Sequence, residues 1–400
     1  MTVGDTPTYW IGLDDTDERE YGCTTHDFND LLNQLSASGF SIHDPRLVRL
    51  WPFAPRRTRG NAALAAAVKT HDQTRLESCL DSWFSQRFSD IKECDEFHSA
   101  QPVLVMTNSQ PPESMYWETV REHVDLCDRL EQLKSIPHKA WSTSAGMGGI
   151  IGASAAISWQ GRCDFTWECT AWRQTLGERN VPLHLVHMIS EIFPTTFMNR
   201  DPNAKRSLIA PRTPCPVLYG IRGETKQGVI DAHTYLQNNG AEICSDYRVY
   251  RTNQATDDHL AGPTPGIVNR VRIMQGGHVE IETQQKLVAF SQGGEVNKLS
   301  QQLEVGDQIE WWGLQDSEES IHLERLRLVR GQRNRVRPHC DCGSRFKSQG
   351  KNQSLKCPRC GSKHPDEWVS EHIESDWKEP PASNRRHLAK PLSRKGKSED

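Results

Sequence analysis

Three carboxylates, Asp14, Asp15 and Asp17, follow directly on the apolar run Tyr9-Trp10-Ile11-Gly12-Leu13. Charges so close together repel one another unless a cation or hydrogen bonds offset them, and hard carboxylate oxygens suit a Mg²⁺ ion that bridges the phosphates of a nucleotide. Thr24 or Thr25 then stands as N-cap to an amphipathic segment in which Phe28, Leu31, Leu32 and Leu35 keep helical spacing. Amides and the dipole at such a helix start favour phosphate. A second polar loop, Arg56-Arg57-Thr58-Arg59-Gly60-Asn61, supplies guanidinium groups that fork onto phosphate oxygens and a glycine that lets the backbone approach closely. Neither a Gly-x-x-x-x-Gly-Lys-Ser/Thr loop nor a Gly-x-Gly-x-x-Gly turn after a strand is present, so a P-loop or Rossmann nucleotide site is unsupported.

The other constellation is a set of thiols. Cys357 and Cys360 have the two-residue spacer of a zinc knuckle, and a four-ligand structural site needs a matching pair upstream. Cys340 and Cys342 offer that pair with a one-residue spacer, while His339 with Cys342 offers the usual spacing as an alternative to Cys340. The short spacer predicts reduced zinc affinity with function retained. Arg333, Arg335, Arg337, Arg345, Lys347, Lys351 and Lys356 surround the thiols, a basic surface suited to nucleic acid.

The elements that must carry these residues fall into four pieces. A buried strand over residues 9–13 feeds the acidic loop and the first helix, and the Arg56–Asn61 loop precedes an alanine-rich segment, Ala62–Val68, with the composition of a helix. A glycine-rich run, Gly146–Ala153, opens a second, mixed α+β piece that includes strand-like text over Phe165–Trp172. From Pro265 to about Leu328, short β-like segments with turn punctuation fit a small OB-type barrel. The thiol module and a polar, flexible tail follow.

A chain of 400 residues is expected to form several domains. With 36% hydrophobic and 25% charged residues it is globular. Its longest near-apolar run, Gly148–Ile157, is about half of the ~20 residues a bilayer span requires, and residues 1–9 lack a signal-peptide layout, which implies a cytoplasmic protein. The net charge of −4 is unevenly spread: residues 325–400 carry 19 Lys and Arg against 9 Asp and Glu. An acidic body with a basic end suggests a polyanion held at that end.

Ile11-Gly12-Leu13-Asp14-Asp15-Thr16-Asp17 with Gly22-Cys23-Thr24-Thr25 resembles the archaeal 2-agmatinylcytidine synthetases that act on the minor isoleucine tRNA. The likeness recurs in order through Arg57–Asn61, Gly149–Ala153, Pro216–Glu224, Thr252–Asp257, Gly276–Val279 and the thiol module. It implies an α+β multidomain chain of four parts: a kinase-like ATP-binding catalytic domain over residues 1–140, a ferredoxin-like domain over 141–262, an OB-fold β-barrel over 263–332 and a zinc ribbon over 333–368, beyond which the polar, flexible tail read from composition covers 369–400. It further implies ATP, Mg²⁺ and structural Zn²⁺ as cofactors. The implied partners are the isoleucine tRNA with CAU anticodon and agmatine, with no membrane and no obligate protein partner. ATP would activate the C2 oxygen of the wobble cytidine, and agmatine would displace the phosphate to give agmatidine, which reads AUA. By the resemblance, Asp14, Asp15 and Asp17 hold the metal, Thr24 matches the threonine that becomes phosphorylated, and Thr16, Thr25, Arg57, Thr58, Arg59, Gly60 and Asn61 contact ATP. Arg57 stands where the family usually has lysine. Arg222, Glu224 and Asp257 are the candidates for agmatine or tRNA, and Cys340, Cys342, Cys357 and Cys360 for zinc. The competing reading is a non-catalytic RNA-binding adaptor built from the barrel and ribbon, for which the acidic cluster, Thr24 and the Arg57–Asn61 loop would have no use.

Overall fold

The computed structural model describes residues 6–18, 22–58, 60–91, 100–175, 177–202, 206–316, 318–350 and 353–395. Arg59 and Lys351 lie outside the described residues, as does the side chain of Arg335. The chain divides into two compact units, residues 1–261 with 382–400, and residues 262–381.

The first unit begins with β1 (Thr8–Asp14), α1 (Thr24–Ala37), β2 (Ser41–Arg49), β3 (Ala62–Lys69), α2 (Gln73–Phe88), β4 (Val103–Thr107), α3 (Ser114–Arg121), α4 (Leu126–Leu133) and β5 (His138–Ser142). It continues through α5 (Ile150–Ser158), β6 (Thr166–Trp172), α6 (Leu183–Ile192), the short strands β7 (Thr196–Phe197), β8 (Arg200–Asp201) and β9 (Arg206–Ser207), then β10 (Val217–Gly223), α7 (Lys226–Asn238) and β11 (Asp246–Thr252). One nine-stranded sheet runs through both parts, in the order β5-β4-β1-β3-β2-β11-β6-β10-β7. Its halves meet where β2 and β11 pair in parallel. Asp44 secures the seam by accepting hydrogen bonds from Arg46 Nε at 2.8 Å and Arg251 Nη2 at 2.7 Å.

Alternation along the strands puts apolar side chains on both faces of this sheet. Ile11, Leu13, Leu64, Ala66 and Val68 pack with Phe28, Leu31 and Leu35 of α1 and Leu76, Leu80 and Trp83 of α2. Ala63, Ala65, Val103 and Val105 pack on the opposite face with Met115, Tyr116 and Val120 of α3 and Ile150, Ala153 and Ile157 of α5. The alanine-rich segment is therefore strand β3, not the helix its composition suggests. It pairs with β1 on one side and β2 on the other, and burial on both faces outweighs alanine's helix propensity of a few tenths of a kcal/mol per residue. Within Gly146–Ala153 the helix α5 begins, and it lies directly on β1, since a Cβ at Gly12 would collide with the carbonyl oxygen of Ala153.

The second unit holds β12 (Thr264–Ile267), β13 (Arg270–Ile273), β14 (Val279–Glu282), β15 (Lys286–Ala289), α8 (Glu295–Ser300), β16 (Gln308–Gln315) and β17 (Ser320–Val336). The sheet order is β12-β16-β17-β15-β14-β13, around a core of Val279, Ile281, Leu287, Ile309, Trp311, Leu326 and Leu328. A hairpin of β18 (Leu355–Lys356) and β19 (Lys363–His364) belongs to the thiol module.

The tail expected to be flexible is structured over most of its length. Val369–Ile373 forms β20 on β17. Residues 382–395 belong to the first unit, where Leu388 is 2% exposed in the α3/α5 core and Arg394 is 5% exposed. Composition alone misses this because the acidic partners of Arg394, Asp164 and Glu224, lie far away in sequence. Among the described residues, no helix is long and apolar enough to cross a membrane.

Candidate active site

Strand β1, paired with β3 and β4 on its two sides, ends at Asp14, and a left-handed φ of 56° at Asp15 turns the chain there. The start of α5 closes on this turn: a Cβ at Gly152 would collide with Asp14 Oδ2, and one at Gly149 would lie 2.6 Å from the Asp14 carbonyl oxygen. Burial and the neighbouring Asp15 charge push the Asp14 carboxyl well above the usual range. Burial pushes Asp15 up to about 7 against the opposing pull of Arg56, whose Nη2 is 3.4 Å from Oδ2. Asp14 and Asp15 thus lack enough compensating positive charge, and buried carboxylate oxygens of this kind are the hard donors that suit a divalent cation.

Asp17 has another task. Its Oδ1 accepts the Thr24 hydroxyl and its Oδ2 the Thr58 hydroxyl, each at 2.9 Å. Thr24 is the first residue of α1 and Cys23 its N-cap. Thr16 donates to Asp27 at 2.6 Å, and Arg87 Nε donates to the same carboxylate at 3.0 Å. Thr16 thus braces the loop.

Two cavities meet at Asp17, Thr58 and Asn61. One, of about 300 Å³, has Asp14, Asp15, Arg56 and Gln101 at its polar end and Leu50, Trp51, Pro55, Val124 and Leu126 along an apolar wall, a surface suited to a nucleobase. The other, of about 320 Å³, is lined by Thr24, Thr25, Arg49, Glu168, Arg222 and His387. The Nε atoms of Arg49 and Arg222 are buried without hydrogen-bond partners. Burial lowers Arg49 to about 10, still charged at neutral pH, so this cavity carries cationic groups suited to an anion. Burial raises the Glu168 carboxyl, but Arg49 and Arg222 outweigh it and hold the group below its ordinary value. Gly220 makes room for that carboxylate, since a Cβ there would lie 2.6 Å from Glu168 Oε1.

Most of the sequence-predicted residues converge on these cavities. Arg57 lines the first cavity but is exposed and donates to the Ala54 carbonyl at 3.0 Å, so Arg56 is the arginine that meets the acidic cluster. Gly60 and Asn61 form the turn between the cavities, where Asn61 takes a left-handed φ of 45° and donates to the Trp51 carbonyl at 2.8 Å. Thr25 accepts from Trp172 Nε1 at 3.2 Å. Arg222 lines the second cavity, whereas Glu224 and Asp257 line neither. Glu224 holds Arg394 Nε at 2.8 Å, and Asp257 Oδ1 accepts the Lys390 amide at 2.6 Å. Arg49, Gln101, Glu168 and His387 were not singled out in the sequence, where each is an isolated polar residue without a motif.

In the second unit, the Sγ atoms of Cys340, Cys342, Cys357 and Cys360 lie within 4.8 Å of one another. Cys340–Cys360 and Cys342–Cys357 are 3.4 Å apart. Zn–S bonds of about 2.3 Å in a tetrahedron require sulfurs ~3.8 Å apart, so the four thiols fit zinc. Gly343, at φ 83°, turns the short first knuckle back so that its amide donates to the Cys340 carbonyl at 2.7 Å. His339 is outside the cluster, with Nε2 3.9 Å from Glu371. The Ser362 hydroxyl and amide hold the Cys360 thiol down to about 6 and the Cys360 amide helps to lower Cys357, while Cys340 is pushed up to about 11, so the second pair is the one poised as thiolate.

Family models described as the TiaS TCKD domain, the TiaS FLD domain and the TiaS C-terminal zinc ribbon domain match residues 10–144, 148–259 and 337–375. TiaS of Methanocorpusculum labreanum, a 2-agmatinylcytidine synthetase of an isoleucine tRNA, is 31% identical, over 96% of this chain and 96% of its own length. A crystal structure of TiaS in complex with its isoleucine tRNA and ATP superposes with a TM-score of 0.77 at 29% identity, covering 97% of each chain. A complex of TiaS with the same tRNA, AMPCPP and agmatine gives a TM-score of 0.77 at 26% identity, covering 98% of each. Matched by such relatives along almost its whole length and by the three TiaS domain models one after another, the chain belongs to the TiaS family of isoleucine-tRNA 2-agmatinylcytidine synthetases.

Proposed function

We propose that this chain joins agmatine to C2 of the wobble cytidine of the isoleucine tRNA with CAU anticodon, at the expense of ATP, and so forms agmatidine for AUA decoding. The observation that carries the reading is the pair of cavities sharing Asp17, Thr58 and Asn61, one with an acidic end and an apolar wall, the other with Thr24 between cationic groups. Family membership supports it. The relatives are named for this product, and structures of relatives contain their isoleucine tRNA, ATP or its analogue, and agmatine.

The chemistry follows from the leaving group. A carbonyl oxygen cannot depart as oxide, so a phosphoryl group is transferred to it, and an amine then expels phosphate from C2. Asp14, Asp15 and Asp17 would hold Mg²⁺, which when bound would neutralise phosphate charge. Asp17 accepts the hydrogen bond of the Thr24 hydroxyl, and by the family resemblance Thr24 would be the side chain that becomes phosphorylated. Arg49 and Arg222 would hold the resulting anion by charge-assisted hydrogen bonds. The further parts of the reading are a kinase-like and a ferredoxin-like half in the first unit, an OB-fold and a structural zinc in the second.

The test incubates the protein with ATP, Mg²⁺, agmatine and unmodified isoleucine tRNA bearing CAU, then measures nucleoside masses. A cytidine heavier by agmatine less water is expected. An unshifted cytidine with tRNA still bound would overturn the reading in favour of an adaptor.

A further inference from the structure

The second cavity contains one side chain delivered from beyond the zinc module. His387 lines it although the rest of the lining comes from residues 17–222. The segment carrying His387 is fixed at several points. The Ala255 amide donates to the His387 carbonyl at 2.9 Å, the Asp257 amide to the Leu388 carbonyl at 2.9 Å, and Leu388 is buried. Further along, Arg394 reaches Asp164 with Nη1 at 2.8 Å and Glu224 with Nε at 2.8 Å. The carboxylate considered for the guanidinium of agmatine thus holds a guanidinium of the chain itself, and its effect is to pin the histidine segment.

The imidazole is oriented by a relay. Thr170 donates to Glu168 Oε1 at 3.0 Å, and the Gln254 amide nitrogen donates to Glu168 Oε2. That orientation turns the Gln254 carbonyl oxygen towards His387 Nδ1, 3.1 Å away. A carbonyl can only accept, so Nδ1 carries the hydrogen and Nε2 keeps its lone pair. The adjoining ring carbon, Cδ2, would be 3.1 Å from a Cβ at Gly60, another residue of the cavity wall.

We propose that His387 Nε2 accepts the proton that the attacking primary amine must shed as it bonds to C2, making His387 a catalytic residue of the second step. The inference rests on the agmatidine reading above. In that step the lone pair of the free amine forms the C2–N bond, and the C2–O bond breaks with its electron pair leaving on phosphate. The nitrogen loses one of its two hydrogens, and His387 passes that proton to the departing phosphate or to water. Other bases in the cavity are engaged: Asp17 accepts two hydroxyls, and Glu168 accepts from Thr170 and Gln254 and lies 3.6 Å from Arg222 Nε. Burial and the charges of Arg49 and Arg222 hold the imidazole well below its ordinary pKa, so it is neutral before the step. A nitrogen newly bonded to an electron-poor ring carbon is far more acidic than an alkylammonium, so a weak neutral base suffices.

The experiment compares wild type with H387A and H387N in adduct formation at saturating agmatine, with tRNA binding measured in parallel. Asparagine keeps a donor near the Nδ1 position, so the tie to Gln254 survives while Nε2 is lost. Both variants are expected to bind tRNA and to form adduct on the order of 100-fold more slowly, the lower range for a general base. Added imidazole is expected to restore H387A in part. Wild-type rates in H387N, or H387A slowed without any response to imidazole, would overturn the assignment. A wild-type chain that forms no adduct would instead overturn the functional reading and His387 with it.

Discussion

Asp15 shows how a single residue can be placed against its own stability. Its carboxyl titrates near 7 in the folded chain because burial outweighs Arg56, whereas a carboxyl in the unfolded chain titrates near 3.8. The folded form binds the proton more tightly. The cation-free protein therefore loses stability as pH rises from about 4 to about 7, the opposite of the usual carboxylate behaviour. Asp15→Asn is expected to raise the melting temperature of chelator-treated protein at pH 8 by several degrees, with a smaller gain at pH 5, while abolishing ATP turnover. Thermal melts at the two pH values check the first part; equal melting of variant and wild type at pH 8 would count against a strained carboxylate. The same proton would compete with a cation bound at Asp15. Mg²⁺ affinity should fall by up to about tenfold per pH unit below 7 for one displaced proton, which a calorimetric titration would measure.

At the scale of elements, the site depends on how closely α5 approaches the end of β1. Gly152 permits that approach, because any Cβ there would occupy the position of Asp14 Oδ2. Alanine is the better helix former by about 1 kcal/mol, so propensity predicts that Gly152→Ala helps. Sterics predict the reverse at the site. We expect near-wild-type circular dichroism and a loss of ATP turnover of at least ~100-fold, since the displaced carboxylate belongs to the acidic cluster; turnover within threefold of wild type would refute the tight fit. Strand β3 teaches the complementary lesson. Ala62–Val68 had the composition of a helix, yet the small side chains serve a central strand packed by α1 and α2 on one face and α3 and α5 on the other. Local propensity is weak beside that burial.

At the scale of the molecule, the chain returns to its first unit after completing the second. Ending it at residue 381 removes Leu388 from the core and Arg394 from Asp164 and Glu224. Lost apolar burial of about 2 kcal/mol and a broken, largely buried ion pair should lower the melting of the first unit by at least ~5 °C. The second unit, residues 262–381, retains its core and thiols and should be unaffected. Hydrogen exchange resolved by segment separates the two responses. Zinc gives the converse test: one equivalent per chain is expected, and Cys360→Ser should release it to a colorimetric chelator while leaving exchange in β1, β3 and α5 unchanged. The basic end is also less free than its composition suggests. Arg333 is held by Asp307 at 2.8 Å and Arg345 by Glu371 at 2.6 Å, so fewer of the 19 cationic residues remain for phosphate than a count implies.

The sequence by itself determined the chemistry that depends on near neighbours: the acidic turn after a strand, Thr24 at a helix start, the thiol pairs, and the order of motifs that places the chain in its family. In those cases the reacting atoms lie within a few residues, and spacing limits where they can go. Tertiary structure alone decided the rest. It selected Arg56 over Arg57 beside the acids, Cys340 over His339 beside the other thiols, and strand over helix for Ala62–Lys69. It also brought His387 to a cavity whose other walls are formed by residues 17–222. A contact across so many residues leaves no periodic trace in the chain, because what stabilises it is burial and charge pairing with partners that only the folded sheet brings near.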